Sequence, residues 1–229
     1  DQSNTHESPG PPRSRQHDGW VHSPDRARRN MRGIVAYASI QPIARRRRVN
    51  GACGRGPQLN AGAAVATGDV LIFLHADTSL PPNAFSLLQT YFSNPQVQAA
   101  KFRLSFDLRH PVLDLAARMM WFDSVWTSFG DQCIVLRRGF FASVGGFPPW
   151  PLFEDVRMFE LARAQTPIYV IPAEVVTSAR RFVEHGIVSQ LLRDVWFMLQ
   201  YLFGVPPEVI AGIYEQRGAA TRAMPVSLG

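Results

Sequence analysis

Residues 68–85, GDVLIFLHADTSLPPNAF, decide the fold. Val70-Leu71-Ile72-Phe73-Leu74 is a short unbroken apolar run, which reads as a strand buried on both faces. His75-Ala76-Asp77-Thr78 ends the run, and Pro81-Pro82 turn the chain into a new helix. A carboxylate just past the C-terminal end of a core strand faces the loops, and in α/β sheets that is where ligands bind. Asp77 is therefore a candidate ligand for a hard divalent cation such as Mg²⁺ or Mn²⁺. Such ions take oxygen from one or two carboxylates and from diphosphate groups. It reads equally well as a turn aspartate, with Thr78 and Ser79 as cap candidates for the next helix.

Outward from this strand the pattern alternates. Strands are predicted at Val70 to Leu74, Ala99 to Phe106, Cys133 to Leu136, Ile168 to Ile171 and Val175 to Thr177. Helices are predicted at Gln58 to Ala66, Asn83 to Phe92, Val112 to Trp126, Glu154 to Ala164, Ile187 to Leu202 and Pro207 to Tyr214. Strands separated by helical segments argue for an α/β layer around a largely parallel sheet. No internal repeat is visible.

The bulk properties narrow the class. The chain has 229 residues, of which 46% are hydrophobic and 11% aromatic, enough for one sizeable core. Cys53 and Cys133 are far apart and in no metal-ligand spacing, which gives no disulfide framework and points to a reducing compartment. No apolar run reaches the roughly 18 residues of a spanning helix, and the polar N-terminus is no signal peptide. A cytoplasmic location is expected. The net charge of +6 is concentrated in Arg13, Arg15, Arg26, Arg28, Arg29, Arg32 and Arg45-Arg46-Arg47-Arg48. Such an arm can bind phosphate backbones non-specifically, or be a solvated leader with no partner. No specific nucleic-acid partner is expected.

Further motifs surround the central strand. GRGPQLNAGAAVATGD places Gly54, Gly56, Gly62 and Gly68 around a small-residue helix, which permits close backbone approach to a ligand or simply tight packing. GGFPPWPLFEDVRMFEL delivers Glu154-Asp155 to the start of a helix after a proline-rich loop. Acidic residues in a first helical turn are ordinary dipole partners. Adjacent carboxylates after a rigid loop also suit a general base held against a hydroxyl. Met119, Met120, Trp121 and Phe122 read as core or as the wall of a binding site. In IVSQLLRDVWFMLQYLFGVPPEVI the apolar residues cover nearly the whole helix circumference. This suits a buried helix, a dimer contact, or a helix lying on a membrane surface.

Residues 54 to about 214 resemble a family 2 glycosyltransferase of the GT-A fold. Within that family they are similar to the small bacterial subgroup labelled arsenosugar-biosynthesis, or radical-SAM/selenodomain-associated, glycosyltransferase. The motifs stand in family order: GRGPQLNAGAAVATGDVLIFLHADTSLPP, GDQCIVLRRGFFASVGGFPPWPLFEDV, TSARRFVEHG and YLFGVPPEVIAGIY. The resemblance implies a mostly parallel central sheet flanked by helices, with the N-terminal strands incomplete or aberrant. It also implies metal-dependent, inverting transfer of a sugar from a nucleotide-diphosphate-sugar to a hydroxyl acceptor. Asp77 would hold the metal in the family's D-x-D element, with His75 in the place of the first aspartate. Asp155, paired with Glu154, would deprotonate the acceptor. Asp131 and Gln132 would line the acceptor side, and Asn60 belongs to the substrate-binding set. Arg180 and Arg181 would meet the departing diphosphate, although consecutive residues of a strand point to opposite faces, so at most one would face the site.

The domain layout expected from this is a basic, largely disordered leader over 1–53, a glycosyltransferase domain over 54–217 and a flexible tail over 218–229. Relatives begin with an apolar strand, a Pro-x-x-Asn-Glu loop and a strand ending in Asp-Gly-Ser, which cradle the nucleotide. Residues 1–53 show none of these, and their only apolar patch is GIVAYASI. Their Arg/Pro/His composition is what GC-rich DNA encodes in a shifted frame. The alternative reading is a truncated or frame-damaged, inactive remnant.

Overall fold

The computed structural model describes residues 34–38 and 54–214. The rest of the expected leader and the expected tail lie outside the described residues. The strands are β1 (Ile34–Ala38), β2 (Val70–Leu74), β3 (Thr78–Ser79), β4 (Ala99–Phe106), β5 (Ile134–Arg137) and β6 (Ile168–Thr177). The helices are α1 (Arg55–Val65), α2 (Ala84–Phe92), α3 (Pro111–Met119), α4 (Arg138–Ser143), α5 (Glu154–Arg163), α6 (Arg180–His185) and α7 (Ile187–Leu202). A last helix, α8, covers 207–214.

The strands form one sheet in the order β1-β2-β5-β4-β6-β3. β4 and β6 pair in parallel, and every other neighbouring pair is antiparallel. This corrects the expectation of a mostly parallel sheet. β2, β4 and β6 do share one direction, as helical crossovers require. However, β5 inserts between β2 and β4 in the opposite sense, so neither pairs with the other.

Side-chain alternation sorts the core onto two faces. Leu71 and Phe73 of β2 and Ile134 and Leu136 of β5 join Leu59 and Ala63 of α1, Phe141 of α4 and Met158, Phe159 and Ala162 of α5. Val70 and Ile72 of β2, Val135 of β5 and Phe102 and Leu104 of β4 join Leu88 and Phe92 of α2. Burying each of the larger of these side chains contributes about 1.5–3 kcal/mol. β2 is thus covered on both sides, and its C-terminal end is left to the loops.

Several boundaries differ from the sequence reading. β6 is one strand that continues through Pro172. The partner register jumps from Phe102↔Ile171 to Arg103↔Glu174, so Pro172 and Ala173 bulge out where proline has no N–H to give. α1 starts at Arg55, before the expected Gln58, because Pro57 lies in the first turn, where no backbone N–H is needed. Thr78 and Ser79 are not helix caps but the short strand β3, paired to Thr177 and Val176 of β6. α3 ends at Met119 instead of Trp126. Met119 and Phe122 are exposed, not core, while Met120 packs partly against the second face. Arg180 and Arg181 open helix α6 and do not lie in a strand.

The apolar residues of α7 do not all point inward. Gln190, Phe197 and Met198 are buried, whereas Val188, Leu192, Val195 and Trp196 are exposed. No helix among the described residues is long and apolar enough to cross a membrane. Cys133 is buried as a free thiol, and Cys53 lies outside the described residues.

Candidate active site

The site forms where β2 ends. His75 is half-buried, and Ala76 and Asp77 are exposed. Pairing of β3 with β6 pins this turn: Thr78 is buried, and its Oγ1 donates to Thr177 Oγ1 at 3.0 Å. α5 arrives beside it with Glu154 and Asp155 in its first turn. The preceding loop is fixed from α1. Asn60 Nδ2 donates to Phe147 O at 2.8 Å, and Phe147 N donates to Asn60 Oδ1 at 2.9 Å. Gly56 allows the same loop to press close, since a Cβ there would lie 2.2 Å from Pro148 O. Asn60, expected to bind substrate, thus has its amide engaged by protein backbone.

One guanidinium ties the site together. Arg55 Nη2 lies 3.0 Å from His75 Nε2 and 3.2 Å from Asp155 Oδ2, and its Nε pairs with Glu154 Oε1. Arginine only donates, so His75 Nε2 accepts, and a neutral ring carries its proton on Nδ1. Burial and the Arg55 charge hold this imidazole well below its usual range, so it is neutral at pH 7. Asp155 also receives Gly130 N at 2.7 Å on Oδ2 and Val156 N at 2.9 Å on Oδ1. Burial alone would raise its pKa, but Arg55, His75 and these two N–H donors outweigh burial and hold it below the carboxylate range. Burial and the Asp155 charge push Glu154 the other way. Of two adjacent carboxylates sharing one guanidinium, Asp155 stays ionised and Glu154 keeps the proton more readily.

Gly130 has no room for a side chain: a Cβ would lie 2.5 Å from His75 Nε2 and 2.8 Å from Asp155 Oδ2. Its 3-10 turn, Gly130–Gln132, also carries Asp131, whose Oδ1 is buried without a hydrogen-bond partner among the described residues. Burial and the Asp155 charge push Asp131 up to about 6. Gln132 is fully buried and scaffolds the turn. Its Nε2 donates to Met120 O and Thr127 O, and its Oε1 accepts from Lys101 Nζ and Phe129 N. Arg181 Nη1 donates to Tyr214 Oη at 3.3 Å, and its charge reaches Asp131. Arg180 points to solvent and pairs with Glu184 of its own helix at 3.7 Å.

Two residues that the sequence reading did not single out organise this arrangement. Arg55 is the hub. A basic residue opening a helix opposes the helix dipole, and that misfit in GRG was its available signal. Lys101 of β4 is fully buried. Its Nζ, with three protons to give, lies 2.6–3.0 Å from Phe122 O, Thr127 O, Ser128 Oγ and Gln132 Oε1 and 3.4 Å from Met120 O. Its signal was a lysine within the largely apolar strand AAKFRLSF, which also holds Arg103.

Among the described residues, no group of three or more His, Cys, Asp or Glu is placed to hold a metal. An octahedral cation at a diphosphate needs fewer, one or two carboxylates with phosphate oxygens and water. The exposed Asp77 carboxylate and the unpartnered Asp131 oxygen fit that demand. Residues 22–133 match the family model described as Glycosyl transferase family 2. The match takes in Arg55, Asn60, His75, Asp77, Asp131 and Gln132, while Glu154, Asp155 and Arg181 lie beyond it. The match spans just under half of the chain and supports a glycosyltransferase. No curated protein matches the chain.

Proposed function

We propose that the protein is a family 2 glycosyltransferase that moves a sugar from a nucleotide-diphosphate-sugar to a hydroxyl in a single inverting displacement, with Asp155 as base. The observation that carries this is the bonding of Asp155. Among the described residues, Oδ2 accepts from Gly130 N and Arg55 Nη2, whereas Oδ1 accepts only from Val156 N. Each carboxylate oxygen has two lone pairs, so Oδ1 keeps one for an incoming hydroxyl. The acceptor oxygen attacks the anomeric carbon, its proton passes to Oδ1, and the bond to the diphosphate oxygen breaks with the electron pair leaving on the diphosphate. Arg55 keeps Asp155 ionised at neutral pH. Asp77, with Asp131, would hold Mg²⁺ or Mn²⁺, whose charge would stabilise the diphosphate as it leaves. Arg181 adds fixed positive charge on the same side.

The order of motifs along the chain supports the arsenosugar-biosynthesis subgroup as its nearest setting. The test is turnover of a panel of UDP-, GDP-, dTDP- and ADP-sugars by the 229-residue chain. Asp155→Asn should lower transfer by about 10²–10⁴-fold, the worth of a positioned base, while donor affinity stays. Unchanged turnover in this variant contradicts the assignment.

A further inference from the structure

A buried cation lies behind the turn that holds the base. Lys101 is the third residue of β4 and is fully buried. Ala99 belongs to the first face of the core and Phe102 and Leu104 to the second, so alternation turns Lys101 to the first face, the side that α5 covers. The oxygens around Nζ are all neutral: the carbonyls of Met120, Phe122 and Thr127, the Ser128 hydroxyl and the Gln132 amide oxygen. Among the described residues Lys101 forms no ion pair. Burial pulls its pKa down to about 8, which leaves the ammonium charged at pH 7. A buried cation with no carboxylate against it depends on the dipoles turned toward it. The segment from Met120 to Gln132 is therefore shaped around Nζ.

That segment reaches α5 at both ends of the helix. Ser128 Oγ, 2.9 Å from Nζ, donates to Asp123 Oδ1 at 2.7 Å. Asp123 in turn accepts from Arg163 Nε at 2.9 Å and Nη2 at 2.7 Å, in the last turn of α5. Toward the first turn of α5, Gln132 Oε1 lies 3.0 Å from Nζ and accepts from Phe129 N at 3.3 Å. Gln132 N donates to Phe129 O at 3.2 Å, which closes the turn that aims Gly130 N at Asp155 Oδ2. The other backbone donor to Asp155, Val156 N, belongs to α5 itself and does not depend on the segment.

We propose that Lys101 is a positioning residue for the base: its ammonium fixes the Gln132 amide and so holds the Gly130 N–H on Asp155. This rests on the transferase reading, in which Asp155 is the base, and it adds to that reading a residue from a strand that carries none of the site groups. Without Nζ the Gln132 amide loses the charge that orients it, and the turn loosens on the Gly130 side while Val156 N keeps its bond.

The test is amide hydrogen exchange by NMR on the full chain at pH 7, with Gly130 compared against Val156. In Lys101→Met the protection of Gly130 should fall about tenfold further than that of Val156, the worth of one hydrogen bond to a charged group. Leu104→Ala, on the same strand but facing the other side of the sheet, is the control for lost stability and should lower both amides alike. Gln132→Met cuts the link between Nζ and the turn. It should reproduce the selective loss, and it carries the test if Lys101→Met does not fold. Equal loss at the two amides in Lys101→Met and Gln132→Met, or the same selective loss in Leu104→Ala, overturns the proposal. Turnover of the nucleotide-sugar panel is measured on the same proteins, and kcat should fall about tenfold wherever Gly130 loosens selectively. If Gly130 loosens selectively and the wild type turns over no donor, the transferase reading fails while Lys101 still positions Asp155. If the wild type turns over and the two amides loosen together, the positioning role fails and the transferase reading stands.

Discussion

Arg55→Met removes the guanidinium that joins His75, Glu154 and Asp155 and keeps most of the aliphatic stem. Nη2 lies 3.2 Å from Asp155 Oδ2. At an effective dielectric constant of about 20 the attraction across that distance is about 5 kcal/mol. Desolvation of both groups offsets part of it, and truncating one partner of a buried pair costs about 3–5 kcal/mol. The cost must depend on pH. Asp155 has a depressed pKa when folded, so its contribution is present above the unfolded value of about 3.9 and is lost as pH falls through the folded value. Glu154 has a raised pKa when folded, so its effect runs the other way: stability declines as pH rises through its folded value. Without Arg55 both carboxylates resist ionisation, and near pH 4.5 both can take up protons and escape the penalty. Urea unfolding followed by tryptophan fluorescence should therefore show a loss of about 3 kcal/mol at pH 8, shrinking to about 1 kcal/mol at pH 4.5. An equal loss at the two pH values, or a loss below about 0.5 kcal/mol at pH 8, would refute the hub role of this arginine.

Two other substitutions probe the same frame. Gly130→Ala places a methyl group 2.5 Å from His75 Nε2 and 2.8 Å from Asp155 Oδ2. It should cut kcat by about 10²-fold, as small displacements of a positioned group do, and steady-state kinetics would show it. Lys101→Met leaves the carbonyls of Met120, Phe122 and Thr127 without their shared donor. Denaturant unfolding should register a loss of about 3 kcal/mol or more, and limited proteolysis should find the 120–129 segment newly accessible.

How much was legible in the sequence follows from the range of the forces involved. β2, β4 and α7 could be read because burial makes each a locally apolar stretch, and the predicted Ile187 to Leu202 coincides with the helix found. α4 was missed because six residues hold too little periodicity to stand out. α3 was read too long because the apolar run continues to Trp126, whereas the carbonyls beyond Met119 turn inward to meet the buried Lys101. That demand comes from another strand and leaves no trace in the run itself. The antiparallel insertion of β5 between β2 and β4 is likewise a matter of three-dimensional assembly. In the site, Asp77 and Glu154-Asp155 could be found because carboxylates at a strand end and a helix start are conspicuous. Arg55 was harder to find, since the helix-dipole misfit in GRG is a weak signal and its partners lie 20 and 100 positions away.

The most direct test of the central claim is calorimetric titration of the purified chain with UDP, GDP, dTDP and ADP, with and without Mn²⁺, beside Asp77→Ala. The account predicts that at least one nucleotide binds more tightly with Mn²⁺, and that Asp77→Ala weakens this metal-dependent binding about tenfold or more, equivalent to ~1.4 kcal/mol. A folded chain that binds none of the four, with or without the metal, would contradict it.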